Sequence, residues 1–151
     1  MKTNLLILFF GLCAPVFAVE APTFGVFKGT AFSSVTLRQP LQLQSGEFSN
    51  CKNDERKLEI IRCDVQNGSL TVSGSPSAIT VTFKRVSFLT DTPTAGSSYY
   101  LHGTTEIAIG ERQVTVPAKV IVSFKDSKRE KMIGVIELED QYVKTFFEAY
   151  R

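Results

Sequence analysis

The sequence predicts an all-β fold, an antiparallel barrel with a β-sandwich as the alternative, and three observations lead to this prediction. Strand candidates recur from Phe24 to Leu138, with β-branched or aromatic residues alternating with polar ones. From Val114 to Phe124 the alternation is unbroken, as in one long strand with a single buried face. Between Phe83 and Val86 the apolar phase slips by one residue, which indicates a β-bulge near Lys84-Arg85. A sandwich corner would produce the same slip, but bulges also help a sheet to close, which favours the barrel.

The N-terminal segment has the features of a secretory signal peptide. Lys2 precedes an apolar run from Leu5 to Leu12, and Val16-Phe17-Ala18 provides the small residues of a cleavage site. The run is about half as long as a membrane-spanning helix requires. A lipoprotein acylated on Cys13 is the alternative, but Leu12 is larger than the residue expected before a lipidated cysteine. We therefore expect a signal peptide over residues 1–18 and a periplasmic or secreted protein without stable membrane insertion.

The remaining residues, 19–151, are enough for one domain with one core. Loss of Lys2 lowers the formal net charge from +2 to +1. A nearly neutral chain gives no reason to expect a nucleic-acid partner, whereas a protein partner stays open. We expect a single β-barrel domain over residues 19–151.

The first strand candidates lie on either side of a proline. Val35 and Leu37, and then Leu41 and Leu43, alternate with polar residues around Pro40. Because proline cannot donate a ladder hydrogen bond, it marks an edge or a bend between two short strands.

Asn67-Gly68 is the strongest two-residue turn signal in the chain and predicts a β-hairpin. A hairpin at this point sets Val65 opposite Leu70. It also sets Cys63 opposite Val72, which turns the cysteine toward the apolar face.

Cys51 and Cys63 are the only cysteines that follow the predicted cleavage site. In an oxidising compartment such a pair is expected to form a disulfide, and closing so short a loop stabilises a domain by about 3 kcal/mol. The pair lacks the C-x-x-C spacing of redox motifs. With His102 as the single histidine, the sequence also lacks a recognisable zinc site. We expect a structural disulfide, and no metal or cofactor.

The most regular alternation in the chain belongs to a second predicted β-hairpin. Gly110 to Gln113 is its predicted four-residue loop. This loop sets Ile109 opposite Val114. One step further from the loop, Ile107 lies opposite Val116 on the same face.

The segment from Met132 to Leu138 has apolar residues on both faces, so its outer face needs a cover. A short C-terminal helix is the predicted cover, with Asp140 as its N-cap. Aromatic and apolar residues form one stripe of this helix: Tyr142, Val143, Phe146, Phe147 and Tyr150. A continued edge strand is the alternative.

The sequence contains no recognisable catalytic constellation. It has neither a G-x-S-x-G nucleophile turn nor a phosphate-binding glycine motif. His102 has no evident partner as a general base. Glu137, Glu139 and Asp140 could supply paired carboxylates, but their spacing also fits a strand end followed by a helix cap. We therefore expect a binding protein and not an enzyme.

Several segments between residues 75 and 124 occur in a recognisable order. They are Ser75-Pro76, Ile79 to Phe83, Tyr99 to Gly103, Ile107 to Gly110 and Val114 to Pro117. The order is an I-T-x-x-F-type strand, a strand that ends in glycine and a hairpin whose return strand begins with alternating valines. In this it resembles the YceI-like polyisoprenoid-binding family. The segment from Gly134 to Asp140 also looks like the family's last barrel strand.

The resemblance implies an eight-stranded, lipocalin-like antiparallel barrel that is exported to the periplasm. It also implies an elongated apolar cavity and the function of a carrier for an isoprenoid or another lipid. The predicted ligand-binding residues are the apolar residues of one face, which would line the lumen: Val81, Phe83, Leu101, Ile107, Ile109, Val116, Val120, Val122 and Phe124. A solid core explains the same residues equally well. The alternative function is a periplasmic protein–protein interaction or inhibitor module with a filled β core and no small-molecule ligand.

Overall fold

The fold is built from ten antiparallel strands, and the computed structural model describes residues 24–33, 38–74, 78–89, 96–139 and 144–151. The strands are β1 Val26–Phe32, β2 Gln39–Gln44, β3 Glu47–Asn53, β4 Ile60–Gln66, β5 Ser69–Val72, β6 Ile79–Leu89, β7 Ser98–Ile109, β8 Arg112–Phe124, β9 Lys131–Leu138 and β10 Thr145–Tyr150. The predicted signal peptide lies outside the described residues, as do Val35 and Leu37.

Eight of these strands close into a barrel. They follow one another in the order β6, β5, β2, β1, β10, β9, β8 and β7, and β7 pairs back with β6. β4 pairs with the second half of β6, and within the described residues β3 pairs with β4 alone. The closed barrel predicted from the alternation is therefore confirmed, and the β3–β4 pair extends its wall at one end.

The predicted hairpin at Asn67-Gly68 is wrong. β4 and β5 are both antiparallel to β6, so they run in the same direction along it and are separated only by a bend. A type I′ hairpin turn needs positive φ at both central residues, but here Asn67 alone has it, at 57°. The Gly68 carbonyl instead accepts a hydrogen bond of 2.9 Å from the Phe83 amide of β6. Cys63 accordingly lies opposite Val86, although it faces the core as predicted.

The predicted bulge in β6 is confirmed. Phe83 lies opposite Gly103 of β7, and Arg85 lies opposite His102, so that Lys84 has no partner in the register. Both Lys84 and Arg85 are exposed, whereas Phe83 and Val86 on either side are buried. The extra residue therefore restores the apolar phase and points two consecutive basic side chains outward.

The β7–β8 hairpin has a shorter turn than the sequence suggested. Ile109 lies opposite Arg112 and Ile107 opposite Val114, so the loop contains two residues and the four-residue loop is wrong. Gly110 has a φ of +63°, and glycine with positive φ at the first central position is what a type II′ turn requires. The register moves by two residues, which leaves the predicted inward face unchanged.

The C-terminal segment is a strand where the sequence predicted a helix. β10 pairs with β1 on one side and β9 on the other, and thereby completes the barrel. A helix over these residues would have left two sheet edges without hydrogen-bond partners. Asp140, Tyr142 and Val143 lie outside the described residues. In the part of the chain that is described, no helix is long and apolar enough to cross a membrane.

The predicted disulfide between Cys51 and Cys63 is present and joins β3 to β4, with a Cα–Cα distance of 4.1 Å. Cys51 lies in a bulge of β3, next to Asn50, whose φ is 51°. The Asn50 amide donates a hydrogen bond of 2.9 Å to the Asp64 carboxylate on β4. The disulfide and this hydrogen bond together hold the strand pair that lies beyond the barrel ring.

Candidate ligand-binding site

The inward face of the barrel is filled with side chains over most of its length. Six of the nine predicted lining residues belong to this core, and each is at most 2% exposed: Val81, Phe83, Leu101, Val120, Val122 and Phe124. Side chains with so little water-accessible surface leave no water-sized void beside them. A ligand could reach them only by displacing the core.

An aromatic cluster closes one end of the barrel. The Phe24 ring lies 4.8 Å from that of Tyr99 and 5.3 Å from that of Phe124, measured between ring centroids. Phe48 is 5.6 Å from Phe24, and Phe88 is 5.2 Å from Tyr99. Most of these pairs meet edge to face, which is a favourable geometry for aromatic rings. We call this group of five residues the aromatic end.

Hydrogen bonds hold Phe24 in position as the plug of the aromatic end. The Phe24 and Gly25 amides donate to the Ser45 hydroxyl at 3.1 and 3.2 Å. The Arg151 guanidinium donates to the Phe24 carbonyl at 2.7 Å, and it also lies over the Phe27 ring. Ser45 is 1% exposed, so its hydroxyl is buried against the backbone that it anchors. Two distant parts of the chain therefore fix the plug.

The opposite end of the barrel has no such plug among the described residues. β9 pairs with β8 only from Ala118 onward, and β6 pairs with β7 only as far as Thr105. Residues 106–116, which we call the β7–β8 arm, therefore extend beyond their neighbouring strands. The arm is a two-stranded ribbon, and no third strand of the described residues pairs with it.

An open groove of about 750 Å³ lies at the base of the β7–β8 arm. Its lining is mainly apolar and comes from β6, the arm and the end of β9: Ala78, Ile79, Ile107, Ala108, Ile109, Val114, Val116 and Leu138. Glu106, Gln113 and Glu139 supply its polar rim. Ile109 is 60% exposed and Val114 39%, so this groove presents apolar surface to solvent. Groove and rim together have the composition of a site for an amphipathic or apolar molecule.

The structure thus divides the nine predicted residues between two environments. Ile107, Ile109 and Val116 line the groove, whereas the other six lie in the core. Whether any of the nine contacts a ligand stays a prediction. Sequence reasoning missed Val114 and Leu138, although the inward phase of the strand alternation could have identified them.

Two buried hydroxyl groups have no hydrogen-bond partner among the described residues. They belong to Tyr99 in the aromatic end and to Thr105 at the level where β6 stops covering β7. Both residues are at most 2% exposed. An unpaired buried hydroxyl lowers stability because its hydration is lost without replacement.

The outer wall carries a row of charges that crosses β7, β8 and β9. His102 lies opposite Lys119, and Lys119 lies opposite Glu137. The Glu137 carboxylate is 2.9 Å from the ammonium of Lys144 and 3.6 Å from that of Lys119. The hydrogen bond from Lys144 and the charges of both lysines lower the pKa of Glu137. The carboxylates considered as catalytic candidates therefore include one that holds a surface ion-pair network.

The C-terminal aromatic residues lie on both faces of β10. Phe147 points inward and is buried, whereas Phe146 and Tyr150 are each 48% exposed on the outer wall. The Phe146 ring stacks on that of Phe32, with centroids 6.2 Å apart. Lys131 lies over the Tyr150 ring. The aromatic residues are thus partly covered by one another and by a basic side chain.

Among the described residues, no group of three or more histidine, cysteine or carboxylate side chains could hold a metal ion. His102 stands on the outer wall and not in the groove. No protein-family model matches the chain, and neither a curated protein nor a solved structure matches it.

Proposed function

We propose that the protein is an exported binding protein whose barrel takes an apolar ligand, of the isoprenoid or acyl-chain type, at its open end. The observation behind this proposal is the groove of about 750 Å³ at the base of the β7–β8 arm. Burial of Ile109 and Val114 by a ligand is favourable, because complete transfer of such a side chain from water contributes roughly 1.5–3 kcal/mol. Ile109 is 60% exposed and Val114 39%, so about half of this contribution is left for a ligand to supply. The arm supplies one wall of the site and Leu138 the other.

The Cys51–Cys63 disulfide supports the exported location. Disulfides persist in oxidising compartments and are rare in reducing ones. The YceI-like resemblance receives no support from any match, so the proposal rests on the barrel and its groove. An isoprenoid is therefore one member of the ligand class and not a specific assignment.

The filled core favours a ligand in the groove over one in a deep lumen. Ala118, which lies opposite Leu138, and Val120 are buried, and they would form the floor beneath the ligand. Ile107 and Val116 lie between these two environments, since both are partly buried and both line the groove. The predicted lumen face continues into the groove along the same strands.

Organic extraction of the protein from its native host, followed by mass spectrometry, tests whether a ligand exists. We expect a lipid to be released at about one molecule per protein. Extraction of no lipid, together with failure of the purified protein to bind farnesol or palmitate, would contradict the proposal.

A pair of variants tests the location of the site. We expect the double variant Ile109→Asn/Val114→Asn to bind the fluorescent probe N-phenyl-1-naphthylamine at least about tenfold more weakly, since tenfold corresponds to only about 1.4 kcal/mol. The matched control is Val26→Asn/Leu58→Asn, which changes two exposed apolar residues outside the groove, 44% and 70% exposed. Equal weakening in both double variants would contradict a site at the groove.

The interaction or inhibitor module stays a hypothesis. Its test is the outer aromatic group, since Phe146→Ser would abolish capture of a protein partner and leave lipid binding unchanged.

A further inference from the structure

The outer wall has a second concave site, which is independent of the apolar groove. A depression of about 180 Å³ is lined by Arg62 of β4, by Arg85, Val86 and Ser87 of β6, and by His102 of β7. We call this the cationic groove. It brings two guanidinium groups, a hydroxyl and an imidazole together from three adjacent strands.

Strand register explains why these side chains meet. Arg62 lies directly opposite Ser87, and Arg85 lies directly opposite His102. In an antiparallel sheet, opposite side chains lie on the same face and close together. The two opposite pairs, Arg62 with Ser87 and Arg85 with His102, therefore lie close together on the outer wall, with β6 between β4 and β7.

The β6 bulge brings Arg85 into the cationic groove. In an uninterrupted strand Arg85 would share the inward face of Phe83, since alternate residues face the same way. The unpaired Lys84 shifts the phase, so Arg85 is exposed beside His102. Bulges recur next to functional sites because they redirect single side chains in this way.

Positive charge in the cationic groove is only partly neutralised. Arg62 forms an ion pair of 2.7 Å with Asp54, which occupies one of the five N–H groups of the guanidinium. No carboxylate of the described residues lies within 4.0 Å of the Arg85 guanidinium as an ion-pair partner. Asp64, which is opposite Arg85 in the register, instead accepts the hydrogen bond from Asn50. Arg85 is thus available to an external anion.

The surroundings of His102 also favour the binding of an anion in the cationic groove. Burial lowers its pKa first, and the positive charges of Arg85, Lys119 and Arg62 lower it further. Lys119 shares Glu137 with Lys144, so the nearest carboxylate on β9 is already engaged. The His102 imidazole therefore lies among positive charges, and a bound anion would offset their repulsion of its protonated form.

We propose that the cationic groove formed by Arg62, Arg85, Ser87 and His102 binds a phosphate group. Arginine forks match the oxygens of phosphate with paired N–H donors. Two guanidinium groups, a hydroxyl and an imidazole offer more donors than the two oxygens of a carboxylate use. A phosphate group, with three or four oxygens, uses the whole set.

His102 is the single histidine of the 151 residues, so its imidazole signal in an NMR titration is unambiguous in protein without a histidine tag. A bound anion favours the imidazolium, and we expect inorganic phosphate to raise the His102 pKa by about 0.5 unit or more beyond sodium chloride at equal ionic strength. Arg85→Gln should abolish this difference. The matched control Arg112→Gln, at the tip of the arm, should keep it. Equal pKa values in phosphate and chloride, or an undiminished difference in Arg85→Gln, would overturn the proposal.

Vesicle sedimentation distinguishes a free phosphate from a lipid headgroup. Sedimentation of the wild type, but not of Arg85→Gln, with phosphatidylglycerol vesicles and not with phosphatidylcholine vesicles identifies a headgroup as the source. Absence of sedimentation with either vesicle, combined with the NMR response, identifies a free phosphate or a soluble phosphate ester. Loss of the apolar groove in Ile109→Asn/Val114→Asn should leave the NMR response unchanged, because the two sites are separate.

Discussion

The two ends of the barrel are built from the same strands but differ in how far their inward face is covered. At the aromatic end, Phe24 seals the interior and is held by Ser45 and Arg151. At the other end, β7 and β8 continue past their neighbours and leave Ile109 and Val114 exposed. The same inward face is a close-packed core at the first end and an open apolar surface at the second. Strand length, and not strand composition, makes this difference.

The largest expected effect of a single substitution lies at the aromatic end. We expect Phe24→Ala to lower the free energy of unfolding by about 3–5 kcal/mol, because it removes a buried ring and leaves a cavity among other rings. The counterpart Ile109→Ala, at the open end, should change the free energy of unfolding by no more than about 0.5 kcal/mol. Urea denaturation of both variants measures the contrast.

Similar values for these two variants would remove the distinction between the ends. A small loss in Phe24→Ala would mean that the plug does not pack in solution. A large loss in Ile109→Ala would mean that the arm is part of the core, and that the groove is closed by residues outside the described ranges.

The second effect concerns the strand pair beyond the barrel ring. We expect reduction of the Cys51–Cys63 disulfide to lower the free energy of unfolding by about 3 kcal/mol, because the unfolded chain regains the freedom of a short loop. Denaturation with and without dithiothreitol measures this loss in the wild type. The double variant Cys51→Ala/Cys63→Ala should show a similar loss and no response to the reductant. A response of the double variant would show that the reductant acts elsewhere.

Much of the barrel wall could be predicted from local pattern. Leu41 and Leu43 are buried as their alternation indicated, and the phase slip at Lys84-Arg85 is the observed bulge. Both features are set by neighbours along the chain. The conformation at Asn67-Gly68 is set by distant residues instead, because the pairing of both flanking strands with β6 makes this segment a bend and not a hairpin turn.

The candidate site was harder to predict for a related reason. Ile109 and Val120 belong to the same alternation and are equally apolar. One is 60% exposed and the other fully buried, because β9 pairs with β8 from Ala118 onward and so covers Val120, whereas β6 pairs with β7 only as far as Thr105 and so stops short of Ile109. The exposure of a residue in this hairpin depends on where another strand ends, which local sequence does not encode. The cationic groove was missed because its members come from three strands, and only the register unites them.

A smaller effect is expected inside the aromatic end. The Tyr99 hydroxyl is buried without a partner among the described residues, so Tyr99→Phe should raise the free energy of unfolding by about 1 kcal/mol. Thr105→Val is the matching change at the level where the groove begins. This variant should raise the free energy of unfolding by a similar amount or less. Denaturation of the two variants measures both. A loss of stability in Tyr99→Phe would show that the hydroxyl has a partner in solution.

The smallest expected effect lies on the wall between the two ends, where the His102 imidazole titrates. Burial first, and then Arg85, Lys119 and Arg62, hold its pKa below the usual 6.5. Below about pH 6.5 the unfolded chain therefore binds the proton more readily than the folded protein does, and the stability contributed by His102 falls as the pH drops through its folded pKa. Above about pH 6.5 the stability contributed by His102 is fully present.

We expect this slope in the wild type between about pH 7 and about pH 5, and its absence in His102→Gln. The carboxylates of Asp54 and Glu137, whose pKa values are lowered, lose their contributions only at more acidic pH. The two windows can thus be separated by measuring the free energy of unfolding at several pH values in both proteins. Equal slopes for wild type and His102→Gln would show that neither burial nor the charges of Arg85, Lys119 and Arg62 shift the pKa of this imidazole. The wall between the sealed and the open end would then add no pH dependence of its own to the stability of the barrel near neutral pH.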